Sequence, residues 1–527
     1  MSERSLYLRN ARIWTGVVTA PWAETALIRD GRFVAVGRDG SIGAATDSTT
    51  LDAGGRLVLP GFTDAHAHLL GTGAAMAGVQ LKRTANVDEA VQRVAERVAR
   101  TPAGGWVRGA GWDQNDWPGA RFPDRQALDA VAPQNPVVLA HTSGHCSWVN
   151  SAALRAAGIG AGTGTPYGGA IDRDGDGEPT GILRDAAMRL VTDAAPNPTS
   201  AERIAALEEA IGHAHSLGVT GVHAMDAGRG ELQALYALRD GARLRLRVHA
   251  YLSATRLDEW IERGVATGDG DEMLRIGGVK FFADGALGSL TAWMFEPYEG
   301  SVDAGFPLQP PEELERDVRR ALEHGLAPAI HAIGDRANAE VLDMIERLGE
   351  VAPDLPRRIE HAQVLRDADV ARFAALCVAA SVQPIHATQD MAKVERWWGA
   401  RGRGAYAFRS LAAAGAPLAF GSDSPVETMD PLAGIHAAVT RQDATGQPAE
   451  GWHADERITP EAAVGAYTWG AAQAARAEGT GRIAAGCHGD FVMLTHDLFA
   501  ESDPMRILDA RVALTVVGGE IVYGGGG

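Results

Sequence analysis

Cysteine is scarce in this chain. Three occur in 527 residues, Cys146, Cys377 and Cys487, odd in number and far apart. They give neither a disulfide framework nor a zinc-ribbon spacing, and a reducing cytoplasmic compartment is the simplest expectation. Long apolar runs are missing as well. No stretch approaches the roughly 18 uninterrupted apolar residues of a membrane span. Residues 1–16 (MSERSLYLRNARIWTG) carry charges where a secretory leader needs an apolar segment. Positive charge is in deficit: 49 Lys and Arg against 67 Asp and Glu, a formal net charge of −18. Nucleic acids and anionic membranes are polyanions, so neither is an expected partner. The remainder is ordinary, with 46% apolar and 6% aromatic residues, ample material for a core. The length exceeds one small core and suits a large barrel with a minor domain.

Residues 5–59 read as short strands over 6–14, 25–29, 32–36 and 51–59, with Asp30-Gly31 as a hairpin turn. The far end is similar, β-rich over 490–494, 510–517 and 520–523 with a Gly518-Gly519 turn. Each end offers too few strands for a core of its own, so residues 1–60 and 476–527 are expected to form one composite sheet domain. Between them, over 61–475, strand and helix alternate. Strands are predicted to end at or near His66, Met225, Leu252, Phe282, Ile333, His361, Ile385 and Asp423, with helices such as 201–217, 311–324 and 338–348 between them. Eight parallel βα units closing on themselves make an α/β fold, a TIM (β/α)8 barrel. About 150 residues separate the first strand from the second, far beyond an ordinary connection. Within that span, residues 70–200 hold a helical segment (87–101), a Trp- and Gly-rich piece (GGWVRGAGWDQNDWPG) and a strand (PVVLAHTSGHCSWVNS). This insertion leaves from the catalytic end of such a barrel, and a lid over the site is its expected role.

Four segments end a probable strand with a metal-ligand side chain: 57–68 (LVLPGFTDAHAH), 327–334 (APAIHAIG), 358–363 (RIEHAQ) and 417–425 (PLAFGSDSP). A fifth, 276–285 (IGGVKFFADG), carries Lys280 in the corresponding place. A parallel barrel brings all these ends onto one face. His66 and His68 stand two apart, so in extended chain both imidazoles project to one side. His331 and His361 follow, 30 residues apart, a spacing suited to one βα unit. Four imidazoles suit zinc and tolerate manganese, iron or nickel. Asp423 is the strand-end carboxylate, able to bind a metal through one oxygen and take a proton from water through the other. A lysine ammonium has no lone pair. If burial and nearby cations lower its pKa, the neutral amine of Lys280 can add carbon dioxide, and the resulting carbamate (N6-carboxylysine) has two oxygens to bridge two ions. The constellation reads as a metal-dependent hydrolase with two divalent ions, zinc foremost.

DAHAH, the lysine of VKFFADGALGS, HAIGD, IEHAQ and GSDSP, in that order, resemble the amidohydrolase superfamily. More narrowly they resemble its branch containing N-substituted formamide deformylase and the YtcJ-like proteins. The similarity runs nearly the whole chain, through NARIWTG…IRDGRFVAVG, GWDQNDW, HTSGHCSWVNSAAL, GILRDAAM and GRIAAGCHGDFVML. The resemblance implies a distorted barrel with a small β-sandwich built from both termini, and a binuclear centre. In it His66 and His68, joined by Asp423, hold the more buried ion, His331 and His361 hold the more exposed one, and carboxylated Lys280 bridges them. A metal-bound hydroxide then attacks an amide-type carbonyl of a small molecule, and Asp423 carries the proton to the leaving nitrogen. A homodimer is expected from such relatives and from the frequency of symmetric assemblies.

Substrate-facing candidates are Trp112, Trp117 and His145 in the insertion, and Asp284, Arg336 and Gln383 at or just beyond strand ends. The tryptophans can equally be packing anchors and the other three equally rim hydrogen bonders. His223 and His386 are strand-end histidines without an assigned role. Asp172, Asp174 and Asp176 imitate a calcium loop, but its twelfth position is Leu183, so the segment reads as a turn. Cys146 beside His145 is not a nucleophile pair, because neighbours in a strand face apart. GSDSP places aspartate where a nucleophile elbow needs serine. Two other functions share these residues: a one-metal deaminase of the same superfamily and a non-catalytic, metal-free relative.

Overall fold

The computed structural model describes the chain except residues 1–4, 45–47, 83, 115–116, 142–145, 167–168, 289, 501 and 525–527. It divides into two compact units, one of Met1–Leu69 with Ala210–Gly527 and one of Leu70–Glu209.

The first unit contains eight strands joined side by side in parallel: β1 (Phe62–Ala67), β2 (Val219–Ala227), β3 (Arg247–Ser253), β4 (Leu274–Phe282), β5 (Pro328–Ala332), β6 (Arg357–His361), β7 (Val378–Val382) and β8 (Leu418–Phe420). Their residues are buried on both faces, most completely in β7, where all of VAASV is inaccessible, as parallel strands covered on both sides require. The circle closes between β8 and β1 just past the strand ends. Ala67 and Ser424 form a parallel bridge, Asp423 N–H donates to the His66 carbonyl at 2.7 Å, and His68 N–H donates to the Ser424 carbonyl at 2.8 Å. This is the distorted (β/α)8 barrel expected from the alternation.

Helices between the strands follow the apolar spacing. Pro311–Glu323 starts with proline in its first turn and glutamates at 312 and 313, and ends near Arg320, each favourable to a helix dipole. It buries Leu314, Val318, Ala321 and Leu322 on one face, against β4 and β5.

Two further sheets belong to this unit. One uses N-terminal strands alone, in the order Arg32–Gly37, Thr25–Arg29, Ser5–Arg9, Thr49–Asp52. The other mixes both ends, in the order Glu520–Gly524, Val512–Val517, Phe491–Leu494, Leu57–Pro60, Arg12–Trp14, Trp22–Ala23. Leu6, Leu8, Ile13 and Phe33 share one apolar core with Phe491, Met493, Leu514 and Val516. The expected strand over 51–59 is two strands in different sheets, because Gly54 and Gly55 take left-handed φ angles of 60° and 77° and turn the chain. Asn10, at φ 49°, divides 6–14 in the same way.

The second unit is built on a six-stranded sheet in the order Gly169–Arg173, Pro179–Asp185, Cys146–Val149, Val137–His141, Val107–Trp112, Val79–Gln80. Helix Val87–Val98 starts from a reciprocal cap: Asn86 accepts from Glu89 N–H at 2.9 Å, and Glu89 accepts from Ala85 N–H at 2.8 Å. The acidic segment around Asp174 is the turn between the first two strands, with the Asp174 carboxylate accepting from the Asp176 and Glu178 amides. No helix of the described residues is long and apolar enough to cross a membrane.

Candidate metal centre

The ends of β1 and β6 and the turn after β8 bring His66, His361 and Asp423 together, with one ligand atom from each within 4.8 Å of the others. Asp423 Oδ1 lies 3.4 Å from His66 Nε2 and 3.4 Å from His68 Nε2. The His66 ring centre is 4.8 Å from that of His361, which is 4.5 Å from that of His331. Lys280, at the end of β4, is 1% exposed, with Nζ 4.5 Å from the centre of the Phe282 ring. It feels the charges of Glu360, Asp423 and Asp226. All six residues singled out as ligands therefore stand on one face of the barrel.

Two of them sit in strained backbone. His361 and Asp423 have φ angles of 71° and 60°, in the left-handed region that side chains rarely adopt. Asp226, at the end of β2, has φ 56°. Such positions cost of order 1–3 kcal/mol each and persist where surrounding structure enforces them, a pattern concentrated at functional sites.

The other nitrogen is held in three of the four imidazoles. His66 Nδ1 is 2.6 Å from Glu360, His361 Nδ1 is 2.7 Å from Gln383 Oε1, and His331 Nε2 is 2.9 Å from the Gly285 carbonyl. Each of these rings is thus fixed in orientation, as metal-ligating histidines require. His66 Nε2, by contrast, is buried without a hydrogen-bond partner among the described residues. A buried polar atom left so is costly unless something is meant to meet it. The imidazole and carboxylate donors around it suit a divalent metal ion, zinc included. The residues fit that ion.

Electrostatics agree with ligand chemistry at His331 and His361. Burial, with the Lys280 charge, lowers His331 to about 3. Burial and the neighbouring His331 and His66 rings hold His361 well below its ordinary value, so both are neutral and keep a lone pair. Burial and Lys280 pull His66 down, but Asp423 and Glu360 carry it above its usual value. Burial raises Asp423, yet the His66 and His68 imidazoles, each 3.4 Å away, keep it well below the carboxylate range. Burial lowers Lys280, with the three carboxylates opposing.

Several residues the motifs did not single out support the site. Glu360 and Arg358 stand two apart in β6, so both enter the barrel interior. Arg358 is 1% exposed and bonds Glu360, His223 Nδ1 (2.8 Å), Tyr251 Oη (3.2 Å), the Ala65 carbonyl (2.6 Å) and Ser381 Oγ (2.7 Å). One guanidinium thus ties β6 to β1, β2, β3 and β7. Asp64 accepts from His66 N–H and Ser422 N–H, each at 3.0 Å, pinning the β8 turn against β1; burial raises it to about 6. Among the described residues, Asp226 Oδ1 and His386 Nε2 are buried without hydrogen-bond partners, the latter 3.8 Å from Asp423 Oδ2. The alternating charges of R-x-E, two apart in one strand and both buried, were the one sequence signal for this layer.

Of the substrate-facing candidates, Asp284 and Gln383 stand beside the ligand histidines His331 and His361 but are engaged with protein groups. Asp284 is fully buried and accepts from the Trp293 (2.8 Å), Ile333 (3.0 Å) and Gly334 (2.8 Å) amides, clamping the loops after β4 and β5; burial raises it to about 7. Gln383 holds His361 rather than lining a pocket. Trp112 and Trp117 stack inside the core of the second unit, with their indole N–H groups donated to the Leu139 and Thr84 carbonyls. They are packing anchors there. Arg336 is half-buried, its guanidinium 4.5 Å from the centre of the Trp293 ring. His145 lies outside the described residues.

The model of the amidohydrolase family (Amidohydro_3) matches residues 49–523. The chain belongs to the amidohydrolase family. This amidohydrolase is 36% identical to Protein LONG AFTER FAR-RED 3 of Arabidopsis thaliana, over 98% of this chain and 91% of that protein. It is 31% identical to the N-substituted formamide deformylase of Arthrobacter pascens, over 99% and 98% of the two chains, which places it in that branch. A crystal structure of an uncharacterized metal-dependent hydrolase from Pyrococcus horikoshii superposes with a TM-score of 0.81 at 29% identity, covering 94% of this chain and 98% of that one. Family and structural neighbour agree on a hydrolase.

Proposed function

We propose that this amidohydrolase uses divalent metal to hydrolyse a carbon–nitrogen bond of amide or formamide type in a small molecule. The observation that carries the reading is the meeting of His66, His361 and Asp423 donors within 4.8 Å around a His66 Nε2 that has no other partner. The name of the deformylase relative supports the choice of bond.

His66, His68, His331, His361 and Asp423 would hold two ions, zinc foremost, and Lys280 would bridge them as a carbamate. When bound, the metal supplies Lewis acidity, making water nucleophilic near neutral pH and polarising the scissile carbonyl. The chain's own part is positional. Glu360, Gln383 and the Gly285 carbonyl fix the imidazoles in the orientations that leave a lone pair toward the cluster. Asp423 divides its work between its oxygens: Oδ1 faces both His66 and His68, leaving Oδ2 to take a proton from water and return it to the leaving nitrogen.

A second reading is a single-ion deaminase in which Lys280 stays an unmodified ammonium. Burial lowers the Lys280 pKa overall, with Glu360, Asp423 and Asp226 opposing, so the carbamate remains the first reading. One experiment separates the two. Metal analysis should return about two equivalents per chain, and 13C-bicarbonate NMR should show a carbamate signal that Lys280→Ala abolishes. A panel of N-formyl amines, N-acyl amino acids and dipeptides should then release amine. One equivalent with release of ammonia from an amino-substituted ring would establish the single-ion deaminase instead; full metal loading with no turnover on either panel would end the hydrolytic reading.

A further inference from the structure

The barrel has a second concavity at its other end. A cavity of about 620 Å³ opens where β6, β7 and β8 begin, with Arg357 the first residue of β6, Ala379 near the start of β7, and Pro417 just before β8. The ligand candidates His361 and Asp423 and the orienting Gln383 lie at or beyond the opposite ends of those same strands. The volume is in the range of small-molecule sites, about 300–1,000 Å³.

The lining is unusual for a chain of net charge −18. Arg357, Arg476 and Arg482 all face this cavity, and Glu478 is its one acidic residue. Arg357 bonds the Leu348 and Val351 carbonyls through Nη2, and Arg476 bonds the Asp354 carbonyl. Among the described residues no carboxylate pairs with any of the three guanidinium groups. Arg357 Nε is buried with no partner among the described residues, a donor without an acceptor. Burial and the charge of Arg476 together disfavour the Arg357 cation, so the two guanidinium groups repel across the site. Pro356, Pro417 and Trp469 supply an apolar wall, and Trp469 is presented by a π-helical turn, Ala466–Gly470, a local irregularity that recurs at functional sites.

We propose that this cavity binds a small organic anion, with its carboxylate or phosphate group between Arg357, Arg476 and Arg482 and its apolar body against Trp469 and the prolines. Guanidinium groups match such oxyanions in charge and in geometry. An anion there would relieve the repulsion between the arginines.

Isothermal titration of the full chain with benzoate and with phenyl phosphate tests this, with benzyl alcohol as the neutral counterpart. Saturable binding of at least one anion is expected, and the stronger of the two identifies the headgroup. Benzyl alcohol should bind at least tenfold more weakly. Arg476 and Arg482 are exposed, so the double charge reversal Arg476→Glu, Arg482→Glu should fold with an unchanged Tm and bind the anion at least tenfold more weakly. Trp469→Ala should weaken binding without altering the preference for the charged compound. Affinity unchanged in the double variant would place the anion elsewhere, including the metal centre, and overturn the proposal. So would equal binding of benzyl alcohol, or no saturation by either anion up to 10 mM.

Discussion

The strand-end face of the barrel and the tryptophan core of residues 70–209 both concentrate large or polar side chains, and the indoles of one and the ligand atoms of the other are treated in opposite ways. In the insertion every indole N–H of Trp112, Trp117 and Trp148 is donated to a backbone carbonyl, at 2.8–3.0 Å. At the strand ends His66 Nε2, Asp226 Oδ1 and His386 Nε2 are buried and have no partner among the described residues. Left-handed φ angles at His361, Asp423 and Asp226 add strain to the same face. Saturated indoles mark architecture; unsaturated ligand atoms on the face that also carries strained backbone mark chemistry.

Substitutions on the two sides should separate accordingly. The largest effect is expected at Asp423. Asp423→Asn should keep most bound metal, measured by elemental analysis, while kcat falls by about 10³-fold, within the usual range for a lost general base. Full activity in that variant would remove Asp423 from proton transfer. Lys280→Ala comes next, with a loss of about 10²-fold and partial recovery by short-chain carboxylic acids that replace the bridging oxygens. Unchanged activity without such acids would eliminate the carbamate. Glu360→Gln removes the charge that faces both His66 Nδ1 and the Arg358 guanidinium, and metal affinity in a chelator competition should weaken about 10–100-fold. The smallest effect on turnover belongs to the insertion. Trp117→Phe loses the bond to the Thr84 carbonyl and should lower stability by about 1–2 kcal/mol in a denaturant titration, with kcat/KM unchanged. A fall in kcat/KM there would break the distinction between the two regions.

The same distinction explains how much could be read before the coordinates. Strand ends were legible because parallel strands are apolar runs stopped by a polar residue. His361 was placed to the residue, whereas Ile385 fell beyond the observed end of β7 because Pro384 starts a helix there. The ligand candidates were legible because a barrel converts order along the chain into proximity. The direction of a side chain past the strand end was not. Asp284 and Gln383 sit where pocket residues cluster, but one turns back to three amides and the other to His361. Asp226 escaped notice because nothing in VTGVHAMDA announces its left-handed φ. The N-terminal sheet was half visible: alternation located its strands, but not the turn at Gly54-Gly55 that assigns them to different layers.

The fastening of Asp423 to His66 also sets a timetable. One partner is made early and the other near the end of translation, so a nascent chain has no cage for cations until its last barrel strand emerges. With the metal use proposed above, the full ligand set would exist only after closure, and cations held by these residues would act as a latch across the joint where the cylinder was last open.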